Sequence, residues 1–226
     1  MSDTALVIMA RYPEKGKTKT RLARSIGDET TLGLYQAFLT DLAQHFAGWK
    51  YDLYWAYTPN DIDFSLFAAT LAPLHAATMR SFPQHGPELG TRLHQVFLSL
   101  RAQQYQSIIV IGSDSPHICR ATILQAQQAL ANADVVLGPA EDGGYYLIAM
   151  REPHDVFSDI PMSTNVVLQL TIEKAQHQGL SVHLLESLFD VDELPELLRL
   201  AELLREEHTR APATAIYLAH LENELL

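Results

Sequence analysis

Apolar positions along the chain fall into two patterns, short continuous runs and longer segments with helical spacing. The runs at residues 5–10 and 107–112 are apolar over most of their length, which predicts strands buried on both faces. Residues 30–47 carry apolar side chains every three or four positions, which predicts a helix closed by Gly48. The other predicted strands are residues 51–57, 74–79, 134–138, 145–150 and 180–185. The other predicted helices are residues 62–71, 89–101, 121–130, 166–177, 194–207 and 213–226.

The two patterns alternate, and this order predicts an α/β fold. Strands separated by helices form right-handed crossovers, which give a mainly parallel sheet with helices on both faces. No linker rich in Gly, Ser or Pro divides the chain, and no internal repeat is evident. We therefore expect a single domain over residues 1–226, a three-layer αβα sandwich with a mainly parallel, mixed sheet and the helix 213–226 packed on it.

Composition limits the function classes. Of the 226 residues, 47% are hydrophobic and 19% charged, which is typical of a globular protein. The net charge of −11 disfavours nucleic-acid binding, whose surfaces are broadly basic. No apolar stretch reaches the roughly 20 residues that span a membrane, and no secretory signal is evident. Cys119 is the single cysteine, so no internal disulfide forms, and we expect a cytoplasmic protein. The oligomeric state stays open.

Positive charge is concentrated in residues 11–24, directly after the first predicted strand. This segment holds six of the sixteen Lys and Arg residues and carries a net charge of +5. The carboxyl end of a strand is also where an open α/β sheet places its ligand. The segment therefore predicts a site for a polyanionic small molecule such as nucleotide phosphates, although a solvated loop or a protein-docking patch has the same composition. The candidate residues are Arg11, Lys15, Gly16, Lys17, Thr18, Lys19 and Arg21.

Two acidic turns also follow predicted strands. Asp114 lies in a Gly-Ser-Asp-Ser-Pro turn after strand 107–112, and Asp190 and Asp192 follow strand 180–185. Carboxylates at strand ends are well placed to hold a divalent cation that bridges phosphate oxygens, so Mg²⁺ or Mn²⁺ is expected at these three residues. Helix capping is the alternative for both turns.

Two further segments could contact a substrate. Glu141, Asp142, Gly143 and Gly144 join two predicted strands, and bare glycine backbone there could approach a substrate, although Asp-Gly also favours a plain hairpin. Gly90 and Arg92 open a predicted helix whose first turn could meet an anion or a base edge, or could be an ordinary helix start.

Several catalytic and nucleotide-binding motifs are absent from the sequence. It contains no Walker A spacing, no Gly-x-Gly-x-x-Gly, no His-Glu-x-x-His and no Gly-x-Ser-x-Gly. The ten histidines show no metal-ligand spacing. The basic loop and the acidic turns are therefore the main indications of function in the sequence.

Together these segments resemble the nucleotide-diphospho-sugar transferase superfamily, which has the glycosyltransferase-A-type fold. More narrowly, the chain resembles small bacterial transferases similar to 2-phospholactate guanylyltransferase. The resemblance runs in family order through most of the chain, and its segments are residues 11–22, 88–93, 111–116, 138–147, 163–164 and 190–192.

The resemblance implies roles for individual residues. The loop 11–21 would hold nucleotide phosphates, Gly90 and Arg92 would lie near the base, and Asp114 and Asp192 would bind the metal. Two departures are present. The superfamily's Asp-Thr-Pro-Glu-Asp-Leu ending is replaced by the segment 192–197, and its Gly-x-Gly-Thr-Arg loop by a Lys-Thr-Arg-Leu version.

The first functional hypothesis is a metal-dependent nucleotidyltransferase. A phosphate or carboxylate of a small acceptor would attack the α-phosphate of a nucleoside triphosphate, with Asp114, Asp192, Lys19 and Arg21 as the catalytic residues. The second is a glycosyltransferase that uses a nucleotide sugar, with Glu141 or Asp142 as the acceptor's base. The third is a non-catalytic nucleotide-binding protein.

Overall fold

The computed structural model describes residues 2–224, with side chains described through Leu221. The strands are β1 (Thr4–Arg11), β2 (Asp52–Thr58), β3 (Met79–Pro83), β4 (Ser107–Ile111), β5 (Val135–Pro139), β6 (Tyr145–Met150) and β7 (Val182–Leu184). The α-helices are α1 (Thr20–Ile26), α2 (Asp28–Phe46), α3 (Phe64–Leu71), α4 (Leu89–Ala102), α5 (Arg120–Ala129), α6 (Val167–His177), α7 (Leu194–Glu206) and α8 (Pro212–Glu224). Within residues 2–224, none of these helices is both long and apolar enough to cross a membrane.

The seven strands form one mixed sheet in the order β3-β2-β1-β4-β6-β5-β7. Strand β6 pairs antiparallel with β4 and with β5, and every other pairing is parallel. The central strand β1 sets the register, because Ile8 lies between Trp55 of β2 and Ile111 of β4. The carboxyl ends of β1, β2 and β4 consequently meet at one edge, and β6 begins at that same edge.

Helices cover both faces of the sheet, and successive side chains of each strand enter opposite cores. Leu6 and Ile8 of β1 pack with α2 residues such as Phe38, while Ala5 and Val7 pack with Phe97 of α4 on the other face. Burial on both faces explains why the parallel strands read as continuous apolar runs. The predicted three-layer α/β sandwich is confirmed.

Two elements differ from the sequence-based expectation. The predicted strand at residues 74–79 is wrong, because Pro73–Thr78 form a 3₁₀ helix and the strand follows at Met79–Pro83. Leu74 is 96% exposed, so its apolar character does not mark a buried strand. Helix α1 was not predicted from the sequence, because it is only seven residues long and buries a single side chain, Leu22. One buried position gives no helical period to recognise.

Helix α8 is anchored to α2 by a buried carboxylate. Asp41, in the middle of α2, accepts hydrogen bonds from the backbone amides of Ala213 and Thr214 at 2.7 and 2.8 Å and from the Thr214 hydroxyl at 2.5 Å. Burial raises the pKa of Asp41 despite these hydrogen bonds. The carboxylate thus supplies the acceptors that the first turn of α8 lacks within its own helix.

Replacement of Asp41 by alanine should lower the free energy of unfolding by about 2–4 kcal/mol, because two buried donors of Thr214 and the half-buried amide of Ala213 lose their acceptor. Urea unfolding followed by circular dichroism measures this change. Thr40→Ala is the matched control on the neighbouring residue, whose hydroxyl donates to Gln36 of the same helix, and should change stability by at most about 0.5 kcal/mol. Equal midpoints for the two variants would contradict the anchoring role of Asp41.

Candidate functional site

A cleft formed by two adjoining cavities lies at the sheet edge where β1, β2 and β4 end. We call the first, of about 480 Å³, the basic cavity, and its cationic lining residues are Arg11, Lys17, Lys19 and Arg21. We call the second, of about 410 Å³, the acidic cavity, and its carboxylate lining residues are Asp114, Asp142, Asp190 and Asp192. Asp114, Asp190 and Asp192 line both cavities, so the two are halves of one cleft.

Lys19 lies at the junction of the two cavities. Its side chain is only 5% exposed, and its Nζ pairs with Asp114 and, at 3.2 Å, with Oδ1 of Asp192. The same ammonium donates to the backbone oxygen of Val191 at 2.8 Å. Burial alone lowers the pKa of Lys19, but the charges of Asp114 and Asp192 outweigh it and raise the pKa above its ordinary value. The residue is therefore a buried, permanently charged cation at neutral pH.

The backbone of Lys19 is in the left-handed region, with φ of 43° and ψ of 53°. A lysine rarely adopts this conformation, which costs about 1–2 kcal/mol. The strain turns the chain from the basic loop into α1 and directs the ammonium inward to the two aspartates. Backbone strain of this kind concentrates at functional sites.

The basic loop before Lys19 is closed by Thr18. Its buried hydroxyl donates to the backbone oxygen of Glu14 and accepts from the Glu14 amide, both at 3.0 Å. Lys17 pairs with the carboxylate of Glu14 at 2.8 Å and remains 59% exposed. Thr18 thereby satisfies backbone groups of the loop, and Lys17 lines the basic cavity.

Hydrogen bonds hold the two acidic turns together. The amide of Val191 donates to the backbone oxygen of Asp114 at 2.9 Å, and the hydroxyl of Ser115 donates to Oδ1 of Asp190 at 2.7 Å. Arg21 pairs with Oδ2 of Asp192 at 2.9 Å. Burial raises the pKa of Asp190 to about 6, and the negative charges of Asp114, Asp142 and Asp192 act in the same direction. Asp114, Asp142 and Asp192 therefore lie close enough to Asp190 for their negative charges to disfavour its ionisation.

Comparison with known proteins identifies the family. Residues 42–164, just over half of the chain, match the family model described as an uncharacterized protein conserved in bacteria (DUF2064). The chain belongs to the DUF2064 family. No curated protein matches the sequence.

Solved structures place this DUF2064 chain in a known fold. A crystal structure from Desulfovibrio desulfuricans G20, provisionally classed as a nucleotide-diphospho-sugar transferase, is 33% identical and superposes with a TM-score of 0.89, covering 99% of this chain and 96% of that one. The 4-diphosphocytidyl-2C-methyl-D-erythritol synthase of Anaerococcus prevotii is 9% identical, with a TM-score of 0.57 over 90% and 96% of the two chains. A cytidylyltransferase of Leptospira borgpetersenii is 12% identical, with a TM-score of 0.53 over 93% and 97%. The predicted superfamily and its fold are confirmed.

Within the described residues of this DUF2064 protein, no three His, Cys, Asp or Glu side chains are grouped as a metal site. Asp114 and Asp192 nevertheless fit a hard cation, because both contact the ammonium of Lys19 and remain 43% and 35% exposed. Mg²⁺ in nucleotide sites is often held by one or two carboxylates together with substrate phosphates. The donor set therefore suits a cation completed by phosphate oxygens, with Lys19 beside it.

The structure brings most of the predicted phosphate and metal residues of this DUF2064 chain into the cleft. Besides the charged residues named above, Thr18 lines the basic cavity, and Gly144, predicted for substrate binding, lines the acidic cavity. The basic loop and the acidic turns, 100 to 180 residues apart in sequence, are thus in direct contact. Their roles in binding and catalysis stay predictions.

Other predicted residues lie beside the cleft rather than in its wall. Lys15 pairs with Glu29, and Gly16 lies beside Asp28. Gly90 packs against Met162 and Phe157, and the guanidinium of Arg92 donates to the Pro87 backbone at 3.4 Å. Neither cavity is lined by these residues; instead Leu89, next to Gly90, lines both.

The predicted hairpin residues separate into two groups. Glu141 pairs with both terminal nitrogens of Arg199, at 2.6 and 3.0 Å, and this pairing lowers the pKa of Glu141. It lines a third pocket, which adjoins the acidic cavity and shares Arg21, Asp142, Asp190 and Asp192 with it. Gly143, at φ +92°, fits against the backbone of Asn165, where an added Cβ would be 2.1 Å from the carbonyl oxygen. Asp142 and Gly144 are the two members that line the acidic cavity.

Sequence reasoning missed the polar residues that support the cleft from the core. The Tyr35 hydroxyl lies 3.0 Å from the Ser113 hydroxyl and accepts from the Arg11 amide at 3.1 Å, so it joins the ends of β1 and β4. Burial and the Asp114 charge raise the Tyr35 pKa to about 12. Gln84 is buried and donates to the Ala56 backbone at 2.8 Å. Tyr35 occupied an apolar position in the helical pattern, and nothing in the sequence distinguished it from a core residue.

Proposed function

We propose that this chain is a transferase that acts on a nucleotide, and that it transfers a nucleotidyl group from a nucleoside triphosphate to a small acceptor. The family relationship and the fold support the coarser part, a transferase with a nucleotide-related substrate. The proposal that the transferred group is a nucleotidyl group from a nucleoside triphosphate rests on the charge distribution of the cleft.

One observation supports the finer proposal above others: a buried ammonium with two carboxylates divides the cleft. Four cations line one half, a number that suits the several negative charges of a triphosphate. Lys19 contacts Asp114 and Asp192 at the boundary, where the α-phosphate of a triphosphate in the basic cavity would lie. Positioning and charge neutralisation are the main requirements of phosphoryl chemistry, and no protein nucleophile is required.

In the proposed reaction, an acceptor oxygen in the acidic cavity forms a bond to the α-phosphorus. The bond from that phosphorus to the bridging oxygen breaks, and pyrophosphate leaves with the electron pair. The acceptor's proton passes to the carboxylates of the cleft. Lys17, Lys19 and Arg21 neutralise the departing phosphates. Mg²⁺ or Mn²⁺ held by Asp114 and Asp192 would supply further charge neutralisation at the phosphate oxygens.

A second candidate keeps the site and changes the donor. The Desulfovibrio protein is classed as a nucleotide-diphospho-sugar transferase, which favours a nucleotide sugar. The acceptor oxygen would then bond to the sugar's anomeric carbon, and the nucleoside diphosphate would leave with the electron pair of the broken carbon–oxygen bond.

The products distinguish the two candidates. Purified protein is incubated with each nucleoside triphosphate or nucleotide sugar, a mixture of small acceptors, and Mg²⁺, Mn²⁺ or a chelator. Pyrophosphate formed only when acceptor is present supports nucleotidyl transfer, and nucleoside diphosphate supports glycosyl transfer. Full turnover of Asp114→Ala and Asp192→Ala variants, or in chelator, would contradict the metal role. The absence of any nucleotide binding by calorimetry would contradict both candidates.

Two lysines of the basic loop offer a matched test of the phosphate role. Lys17 and Lys15 are about equally exposed and each has one acidic partner, but Lys17 alone lines the cavity. Lys17→Met should weaken nucleoside triphosphate binding about fivefold to tenfold, the effect of one charge-assisted contact of roughly 1 kcal/mol. Lys15→Met should change it less than twofold. Titration calorimetry measures both, and similar losses for the two variants would indicate a nonspecific charge effect.

A further inference from the structure

The acidic cavity is lined by both apolar and negatively charged side chains. Leu89, Leu93, Met162 and Val167 belong to its apolar lining, where an apolar molecule would be removed from water. Four carboxylates also line it, and among the described residues Arg21 is the single cationic side chain in the lining. The two halves of the cleft therefore differ in chemistry, although they meet at Asp114 and Asp192.

The one guanidinium of this lining is already engaged. Arg21 pairs with Oδ2 of Asp192 at 2.9 Å and lies 3.6 Å from a carboxylate oxygen of Glu193. A divalent cation on Asp114 and Asp192 would neutralise those two groups. It would still leave Asp142 and Asp190 facing the cavity, and these two carboxylates have no cationic partner within salt-bridge distance among the described residues.

The position of Asp142 is fixed by its own hairpin. Its Oδ1 accepts a hydrogen bond from the amide of Gly144 at 2.8 Å. The intervening Gly143 packs on Asn165, and its carbonyl accepts from the amide of Leu168 at 2.9 Å. The hairpin therefore holds the Asp142 charge in the lining of the acidic cavity.

We propose that the acidic cavity selects an uncharged or cationic acceptor with an apolar body, and that Asp142 is the specificity residue that rejects anionic acceptors. This inference rests on the proposed function, because it names the acceptor class for that reaction. It replaces the expectation of a phosphate or carboxylate acceptor. A phosphate ester in this cavity would lie beside carboxylates of the same sign, whereas a hydroxyl or ammonium group would be accepted as a hydrogen-bond donor.

The test uses three probes with one carbon skeleton and three charges: cyclohexylamine, cyclohexanol and cyclohexanecarboxylate. Their dissociation constants are measured by ligand-observed NMR titration at pH 8 and fixed ionic strength, with the full-length protein. The amine should bind at least about tenfold more tightly than the carboxylate, with the alcohol between them. Carboxylate binding equal to or tighter than amine binding, or failure of all three probes to bind, would overturn the proposal.

The Asp142→Asn variant tests the assigned residue. Asparagine keeps an oxygen for the Gly144 amide and removes the charge, so the ratio of amine to carboxylate affinity should fall about threefold to fivefold while alcohol affinity stays constant. Asp134→Asn is the matched control, because Asp134 accepts from the amide of Ser181 at 2.8 Å at the opposite edge of the sheet. An unchanged ratio in Asp142→Asn, or an equal fall in Asp134→Asn, would exclude the assigned role of Asp142.

The same preparations are titrated with nucleoside triphosphates and nucleotide sugars. Loss of charge selectivity with intact nucleotide binding would count against the acceptor inference alone. Charge selectivity without nucleotide binding would count against the proposed function and leave the cavity's preference standing.

Discussion

Lys19→Met should reduce turnover by about 10²–10³-fold and also destabilise the fold. Among the described residues, the ammonium of Lys19 is the single cation that pairs with both Asp114 and Asp192. Its removal takes one preorganised positive charge from the reacting phosphate, and losses of that size are typical for such groups. The two aspartates would also lose their shared cation. Because their side chains are 43% and 35% exposed, water compensates in part, and we expect a loss of roughly 1–3 kcal/mol in the free energy of unfolding.

The same substitution at Lys17 separates the structural effect from a general effect of removing charge. Lys17 is 59% exposed and pairs only with Glu14, so Lys17→Met should change the free energy of unfolding by less than about 0.5 kcal/mol. Guanidinium unfolding gives the stabilities and steady-state kinetics give the turnover numbers. A Lys19→Met protein with wild-type turnover would show that the central ammonium has no part in the chemistry.

Gly143→Ala, beside the cleft, should be more destabilising than alanine at the cleft glycines Gly112 and Gly144, lowering the free energy of unfolding by about 3–4 kcal/mol. Two effects combine at this position. The backbone has φ of +92°, which an alanine rarely adopts, and the new Cβ would be 2.1 Å from the carbonyl oxygen of Asn165. The hairpin must therefore separate from the segment before α6, and the wall of the acidic cavity moves with it. The melting temperature should fall by roughly 6–16 °C for a chain of this size.

Gly179→Ala measures the free-energy cost of the positive φ without a steric clash. Gly179 has φ of +74°, but an added Cβ would meet no atom within 4 Å. We expect a loss of about 1–2 kcal/mol from the left-handed conformation alone. The difference between the two variants, measured by urea unfolding, gives the cost of the contact with Asn165. Equal losses would mean that the hairpin shifts freely and does not fix Asp142.

The sheet was predictable from sequence because each central strand is buried on both faces. Runs such as Ile108–Ile111 need no partner information to be recognised as strands, and the order of strands and helices then fixes the fold class. The edge strand β3 was misplaced, since none of its residues is fully buried and its apolar pattern is weak. Hydrophobic periodicity in a sequence reflects which side chains are buried. A strand with few buried side chains, such as β3, therefore cannot be recognised from it.

The site was predictable in its charged residues and not in their partners. The clustering of cations after β1 and the aspartates after β4 and β7 follow from the rule that strand ends share an edge. The sequence did not indicate that Lys19, alone among the loop cations, turns inward and becomes buried. That outcome depends on a left-handed backbone at one lysine, which composition and spacing do not encode. Lys15 and Lys17 have the same chemistry and lie two residues apart, but Lys15 pairs with Glu29 outside the cleft and Lys17 lines the basic cavity.

The two halves of the cleft differ in the elements that form them as well as in charge, because β6 runs antiparallel to β4 and β5. The cationic half is built from loops that follow parallel strands, so changes there disturb the chain's entry into α1 and the central sheet. The hairpin between β5 and β6 connects neighbouring strands without a helix, so the exposed Asp142 can be exchanged there with little effect on the strands, whereas Gly143 cannot. Under the proposed function, exchange of Asp142 in this one short connection would change the acceptor while leaving the basic cavity and its donor unchanged.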